Sequence, residues 1–310
     1  MHINTKLATA LLLCSAFPVS LALIAGDAAE ITAAPHSADS TVCQGKRLVW
    51  HDEFDGNSLD TTTWNIEVNS NGNGNGELQH YSSRGVSLGR EPETGAHCLI
   101  LTARRERKGN CRFTSGRVTT AGKRYFTHGI LESRIKLPRT KNGVWPAFWL
   151  LGNNYREVGW PRCGEIDILE MGNADGIKNG TQTRLFNGAC HWGFYNEHGQ
   201  YPNHVAPTVA EHSLQDGKFH TFTLEWTPAV INMYLDRDTN PDAKPYYSIG
   251  IADRSDALSM GHYFHHDFFV IFNLAVGGYF TGITDPKDIT ALPHKHSKAQ
   301  MYIDWVRLYQ

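Results

Sequence analysis

The chain has 310 residues, with 29 lysines and arginines against 31 aspartates and glutamates, a formal net charge of −2. This even balance, with no Lys/Arg block, leaves no electrostatic footprint for nucleic acid or an anionic membrane surface, and neither is an expected partner. The 29 glycines and the 11% share of aromatic residues fit many short strands joined by tight turns better than long helices.

At the N-terminus Lys6 precedes an apolar run from Leu7 to Ala25, with small residues around Ala22 to Ala29. That order reads as a secretory signal peptide over residues 1–29, and so as a secreted, periplasmic or cell-surface protein. The run is also long enough for an uncleaved anchor, but Pro18 and the small residues after it favour cleavage. Cys14 follows three leucines inside the run, which is not the place of a lipid-attachment cysteine. Residues 30–42 are small, polar and aperiodic and read as a linker. Residues 43–310 then form one domain, a length that a single β-sandwich or barrel reaches, and a monomer is expected.

The mature chain keeps Cys43, Cys98, Cys111, Cys163 and Cys190, an odd number for an oxidising compartment. Cys98 with Cys111 is the expected pair, because the turn-rich Arg107 to Asn110 segment can return one strand beside another. No cysteine or histidine spacing suggests zinc.

Strand-like stretches recur at Arg47 to His51, Cys98 to Arg104, Gly129 to Leu137, Glu165 to Met171, Thr221 to Trp226, Ile231 to Leu235, Phe268 to Ala275 and Met301 to Tyr309. Gly, Pro and Asn separate them, which implies an all-β antiparallel sandwich. The Gly129 to Leu137 strand alternates Leu131, Ile135 and Leu137 with Glu132, Arg134 and Lys136, so one face is polar. Arg134 and Glu132 face either a substrate or plain solvent on that reading. Trp145 and Trp149 lie four apart on one face of a strand, and Trp160 stands just before an acidic segment; each is either a sugar platform or core.

That segment, Glu165-Ile-Asp167-Ile-Leu-Glu170, packs three carboxylates into six residues with β-branched and apolar residues between them. A regular strand would send Glu165 and Asp167 to one face and Glu170 to the other. A bulge around Ile168-Leu169 restores all three to one face, and bulges are common beside active sites. Like charges so close raise one another's pKa, which an acid/base pair uses and a merely structural strand does not. Two carboxyls flanking a bond are the equipment of glycoside hydrolysis.

The same six residues resemble the E-x-D-x-x-E signature of glycoside hydrolase family 16 in its bulged, laminarinase-like form. Gly143-Val-Trp-Pro-Ala-Phe-Trp149, Phe219-His-Thr-Phe-Thr-Leu-Glu-Trp226, and Phe272-Asn-Leu-Ala-Val-Gly-Gly278 with Tyr302-Ile-Asp-Trp-Val-Arg-Leu-Tyr309 resemble it too. The likeness runs from about residue 47 to the C-terminus. It implies a β-jelly roll of two curved antiparallel sheets with a concave cleft. In a retaining mechanism Glu165 would be the nucleophile, Glu170 the acid/base and Asp167 the residue that orients and tunes Glu165, with no cofactor in the chemistry.

It implies further that Asn75, in the Asn69 to Glu77 loop, contacts sugar; that His191, with Trp192 on the next strand, approaches Glu170; and that a structural calcium lies near Glu53 and Asp304. The expected substrate is a β-1,3-glucan of laminarin type. Tyr279-Phe-Thr-Gly282 replaces a tryptophan-proline pair common in laminarinases, and 172–190 is unfamiliar. That keeps an endo-β-galactosidase of keratan or mucin chains as the alternative, ahead of a transglycosylase or an inactive carbohydrate-binding module.

Overall fold

A computed structural model describes residues 42–310. The expected signal peptide, and the linker except its last residue, lie outside the described residues. Val42 already pairs with Arg47.

Two sheets face each other. The cleft-bearing sheet runs in the order Asn203–Val209, Leu185–His191, Glu165–Met171, Val144–Gly152, Phe268–Val276, Arg117–Thr119 and Asn65–Ile66, antiparallel throughout. The outer sheet runs Tyr247–Gly250, Val230–Leu235, His220–Trp226, Gly129–Lys136, Lys298–Tyr309 and His97–Arg104, and continues to Phe113–Ser115 and Gln79–Tyr81. Its last pair is parallel. Among the described residues, helix is confined to short pieces such as Tyr155–Val158 and Ala174–Asn179. The all-β jelly roll holds, and each of the strand-like stretches coincides with an observed strand, the Gly129 to Leu137 stretch ending one residue earlier, at Lys136.

The alternation of the strands supplies the core between the sheets. Phe148, Ile166 and Phe272 from one sheet and Leu131, Phe222 and Leu224 from the other are fully buried there. Trp64 packs on Phe272 with centroids 5.9 Å apart, and Phe186 meets Phe222 edge-on across the layers at 6.3 Å. Burying such side chains stabilises the sandwich by about 2 kcal/mol each.

The outer sheet corrects three readings. Arg134 and Glu132 point away from both core and cleft: Arg134 is ion-paired with Asp304 and lies over the Phe219 ring at 4.5 Å, while Glu132 accepts a hydrogen bond from Thr223 at 2.9 Å. Pairing within the outer sheet, with Glu132 buried and Arg134 half-buried, and not substrate, explains that alternation. Cys98 and Cys111 are not joined; both are free thiols, as are Cys43, Cys163 and Cys190. The expected turn does form, with Lys108 and Cys111 bonded across it, but its arms meet at Arg104 and Thr114. Cys98 sits at the opposite end of that strand, about 20 Å of extended chain away.

Glu53 holds Arg307 through two hydrogen bonds of 2.9 and 2.8 Å, and Asp304 holds Arg134. Each carboxylate is thus engaged by its own guanidinium, and the two do not form a common side-chain ligand set. They do not fit the expected calcium site.

Candidate active site

The Glu165–Met171 strand is bulged where the sequence requires it. Against Val144–Gly152, Phe148 faces Leu169 and Trp149 faces Asp167, so Ile168 has no partner. Against Leu185–His191, Asp167 faces Ala189 and Glu170 faces Asn187, leaving Ile168 and Leu169 opposite Gly188 alone. Ile168 and Leu169 are both fully buried on the core side. Two successive inward residues bring Glu170 back to the face that carries Glu165 and Asp167.

All three acids line one cleft of about 1030 Å³ that runs across the strands. Glu67 and Arg117 stand at one end, Tyr195 and Tyr201 at the other, with Trp145, Ala147, Trp149 and Leu151 as floor and Asn75 in one wall. Ala147, Trp149 and Leu151 lie directly opposite Glu170, Asp167 and Glu165, so the alternation of that strand sets floor residues beside acids.

The acids have few hydrogen-bond donors. Trp160 Nε1 donates to Glu165 Oε2 at 3.0 Å, and His191 Nε2 stands 3.4 Å from Asp167 Oδ2. Polar atoms of Glu165, Asp167 and His191 lie within 4.8 Å of one another. Burial first, and then the Asp167 charge, push Glu165 and Glu170 each up to about 8. Burial raises Asp167 well above the usual carboxylate range. The cluster therefore carries fewer than three negative charges near neutral pH, because each ionisation opposes the next. An indole bears on each glutamate, Trp160 on Glu165 and Trp145 on Glu170, and each opposes the rise caused by burial.

Of the expected site residues, Asn75, Trp145, Trp149 and Trp160 join the three acids in the cleft lining. Trp145 has one face covered by Phe280, stacked at 4.5 Å and 17°. Trp149 donates to Asn273 at 2.7 Å and carries Arg117 over its ring at 5.1 Å. Two expectations are corrected. His191 is opposite Glu165 and contacts Asp167, not Glu170, because antiparallel register pairs Glu170 with Asn187 instead. Trp192 turns into the core, donates to the Leu258 carbonyl at 2.8 Å and meets Phe264 edge-on; the strand period puts it on the face opposite His191.

Sequence reading missed Tyr195 and Tyr201, which meet Trp160 edge-on at 5.9 and 4.7 Å from a loop without periodicity. It also missed Arg117 and Glu67, paired at 3.1 Å in the cleft, since both lie in or beside very short strands. The only signal was two tyrosines flanking the short polar turn of residues 196–200, shortly after the His191 strand.

Residues 89–247 match the sequence model of the glycosyl hydrolases family 16. The chain is similar to a β-glucanase of Rhodothermus marinus, 33% identical over 272 residues, which is 85% of either chain. It is also similar to a glucan endo-1,3-β-glucosidase of Cryptopygus antarcticus, 34% identical over 76% of this chain and 82% of the relative. Among solved structures, a Bacteroides ovatus mixed-linkage-glucan family 16 protein in complex with a G4G4G3G product superposes with a TM-score of 0.72. Its identity is 37%, over 84% of this chain and 100% of that one.

Proposed function

Because the chain belongs to glycosyl hydrolase family 16, we propose that it is a retaining endo-β-glucanase that cuts internal links of β-1,3-glucan chains, mixed-linkage chains included. The observation that carries the reading is the bulge that sets Glu165 and Glu170 on one cleft face, with an indole N–H already bonded to Glu165.

In the first step the Glu165 carboxylate attacks the anomeric carbon as the glycosidic C–O bond breaks, and the Glu170 proton passes to the departing oxygen. In the second, water attacks the glycosyl-enzyme, Glu170 takes the water's proton, and Glu165 leaves as carboxylate. Asp167, two residues from Glu165 on the same cleft face, orients and tunes it. Trp149, Trp160, Tyr195 and Tyr201 offer flat apolar surface to pyranose rings, and Asn75 offers an amide.

The test is product analysis by mass spectrometry after incubation with laminarin, lichenan, keratan sulfate and mucin glycans, with Glu165→Gln as control. Proton NMR of the first-formed reducing end accompanies it. Oligosaccharides from the glucans, with the β-anomer appearing first, are expected. Products from the galactose-containing chains alone would make the enzyme an endo-β-galactosidase, and an initial α-anomer would refute retention. Export is part of the proposal; N-terminal sequencing of the protein from the culture medium is expected to start near residue 30.

A further inference from the structure

The bulge leaves a debt on the core side. A residue outside both ladders of its sheet has a backbone carbonyl that needs another partner when buried. Ile168 is such a residue: it has no register partner on either neighbouring strand and is fully buried. Its carbonyl accepts a hydrogen bond from the Tyr246 hydroxyl.

Tyr246 belongs to the opposite sheet. It follows Pro245, immediately precedes the Tyr247–Gly250 strand, and is fixed by its own N–H to the Met233 carbonyl at 2.9 Å. The ring therefore spans the sandwich interior, packed edge-on against Phe186 at 4.8 Å. Gly188, which opposes the bulge on the neighbouring strand, makes the room. A Cβ there would lie 2.9 Å from the Met233 sulfur and 3.0 Å from Tyr246 Cε2.

We propose that Tyr246 is a positioning residue for Glu170: its hydroxyl, reaching through the gap at Gly188, fixes the Ile168 carbonyl, and with it the bulge that aims Glu170 into the cleft. Glu170 lies two residues beyond that carbonyl, and Glu165 lies on the regular stretch before it, which the ladder holds by itself. Loss of the hydroxyl then loosens the acid/base and leaves the nucleophile in place. The inference rests on Glu170 being the acid/base.

The test uses Tyr246→Phe, which removes one oxygen and keeps the ring, assayed on two substrates. One is the polysaccharide, whose leaving oxygen needs a proton; the other is a 2,4-dinitrophenyl β-glycoside of a short glucan, whose leaving group needs none. The value of kcat/KM on the aryl glycoside reports bond cleavage without acid assistance. For Tyr246→Phe, kcat on polysaccharide should fall by roughly 10- to 100-fold, the cost of misplacing a catalytic group by a fraction of an ångström to an ångström, with KM little changed. Aryl glycoside kcat/KM should stay within about twofold, and sodium azide, which replaces the water that Glu170 must activate, should speed turnover of the aryl glycoside.

Equal losses on both substrates, or no loss on either, would overturn the proposal. Should Tyr246→Phe fail to fold, Gly188→Ala takes its place, because the added methyl displaces the same ring; the same selective loss is expected. Glu170→Ala is run beside them. If it shows no selective loss on polysaccharide, the acid/base reading fails, whereas a selective loss there with none in Tyr246→Phe defeats the positioning role alone.

Discussion

Two strands of this protein each present three charged side chains on one face and put them to opposite uses. Gly129–Lys136 presents Glu132, Arg134 and Lys136 from the outer sheet, and Glu165–Met171 presents Glu165, Asp167 and Glu170 from the cleft sheet. On the first, every charged group has its partner: Glu132 accepts from the Thr223 hydroxyl, Arg134 pairs with Asp304, and Lys136 pairs with Glu91 and Glu93 at 2.8 and 2.7 Å. On the second, three like groups have two indoles and a histidine and, among the described residues, no cationic side chain paired with them. Matched charges make a structural face; unmatched like charges, held together by a bulge, cost stability and supply chemistry.

The strongest way to break this comparison is to neutralise one glutamate on each strand. Glu165→Gln should lower kcat by at least about 10⁴-fold, as losing a nucleophile does, whereas Glu132→Gln should leave kcat within about twofold. Comparable losses from both would dissolve the distinction. Asp167→Asn comes next. It should cost on the order of 10²-fold in kcat, and because the Asp167 charge is one of the causes that raise Glu170 to about 8, the alkaline limb of kcat/KM should move to lower pH. A limb that stays in place would show that Asp167 is uncharged in the working enzyme.

The same contrast explains what could be read from the sequence. Alternation announced both strands, and the three acids announced the bulge, because only a bulge reunites them. What alternation does not carry is which sheet a face belongs to. Arg134 was therefore open between cleft and solvent, and only the Asp304 partner, 170 positions away, settles it. Trp192 and His191 are neighbours in sequence with opposite fates for the same reason: one is core and one is cleft by the period of two. Tyr195, Tyr201 and Arg117 come from loops or very short strands, where no period exists to place a side chain.

The cleft cluster and the Lys136–Glu91 ion pair of the outer sheet should also respond to pH with opposite sign. Glu165 and Glu170 have folded-state pKa values raised from 4.5 to about 8. Stability from that cluster is present in full below the unfolded value and is lost as pH rises through about 8. Glu170→Gln, which removes one of these ionisations, should raise Tm by several degrees at pH 9 and change it little at pH 4. Differential scanning calorimetry across that range reads the crossing, and a Tm gain that does not depend on pH would assign the effect to packing.

On the outer sheet the smallest effect runs the other way. Burial alone would raise Glu91, but the Lys136 ammonium at 2.8 Å and three donations from Thr94 and Glu93 outweigh it and draw the carboxyl down to about 2. A depressed acid contributes stability above its unfolded pKa of about 4.5 and loses it as pH falls through about 2. Glu91→Gln keeps the shape and one acceptor but not the charge, so about 1.5 kcal/mol is lost. For a domain of this size that is a few degrees of Tm at pH 7. The difference from wild type should shrink as pH falls from 4 to 2, while the Glu170→Gln difference stays near zero over the same interval. The two variants would then titrate in separate windows, one acidic and one alkaline. If instead Glu91→Gln lost nothing at pH 7, the Lys136 pairing would be as weak as an exposed one, and the charges on this strand would be tolerated by the fold without helping to hold it.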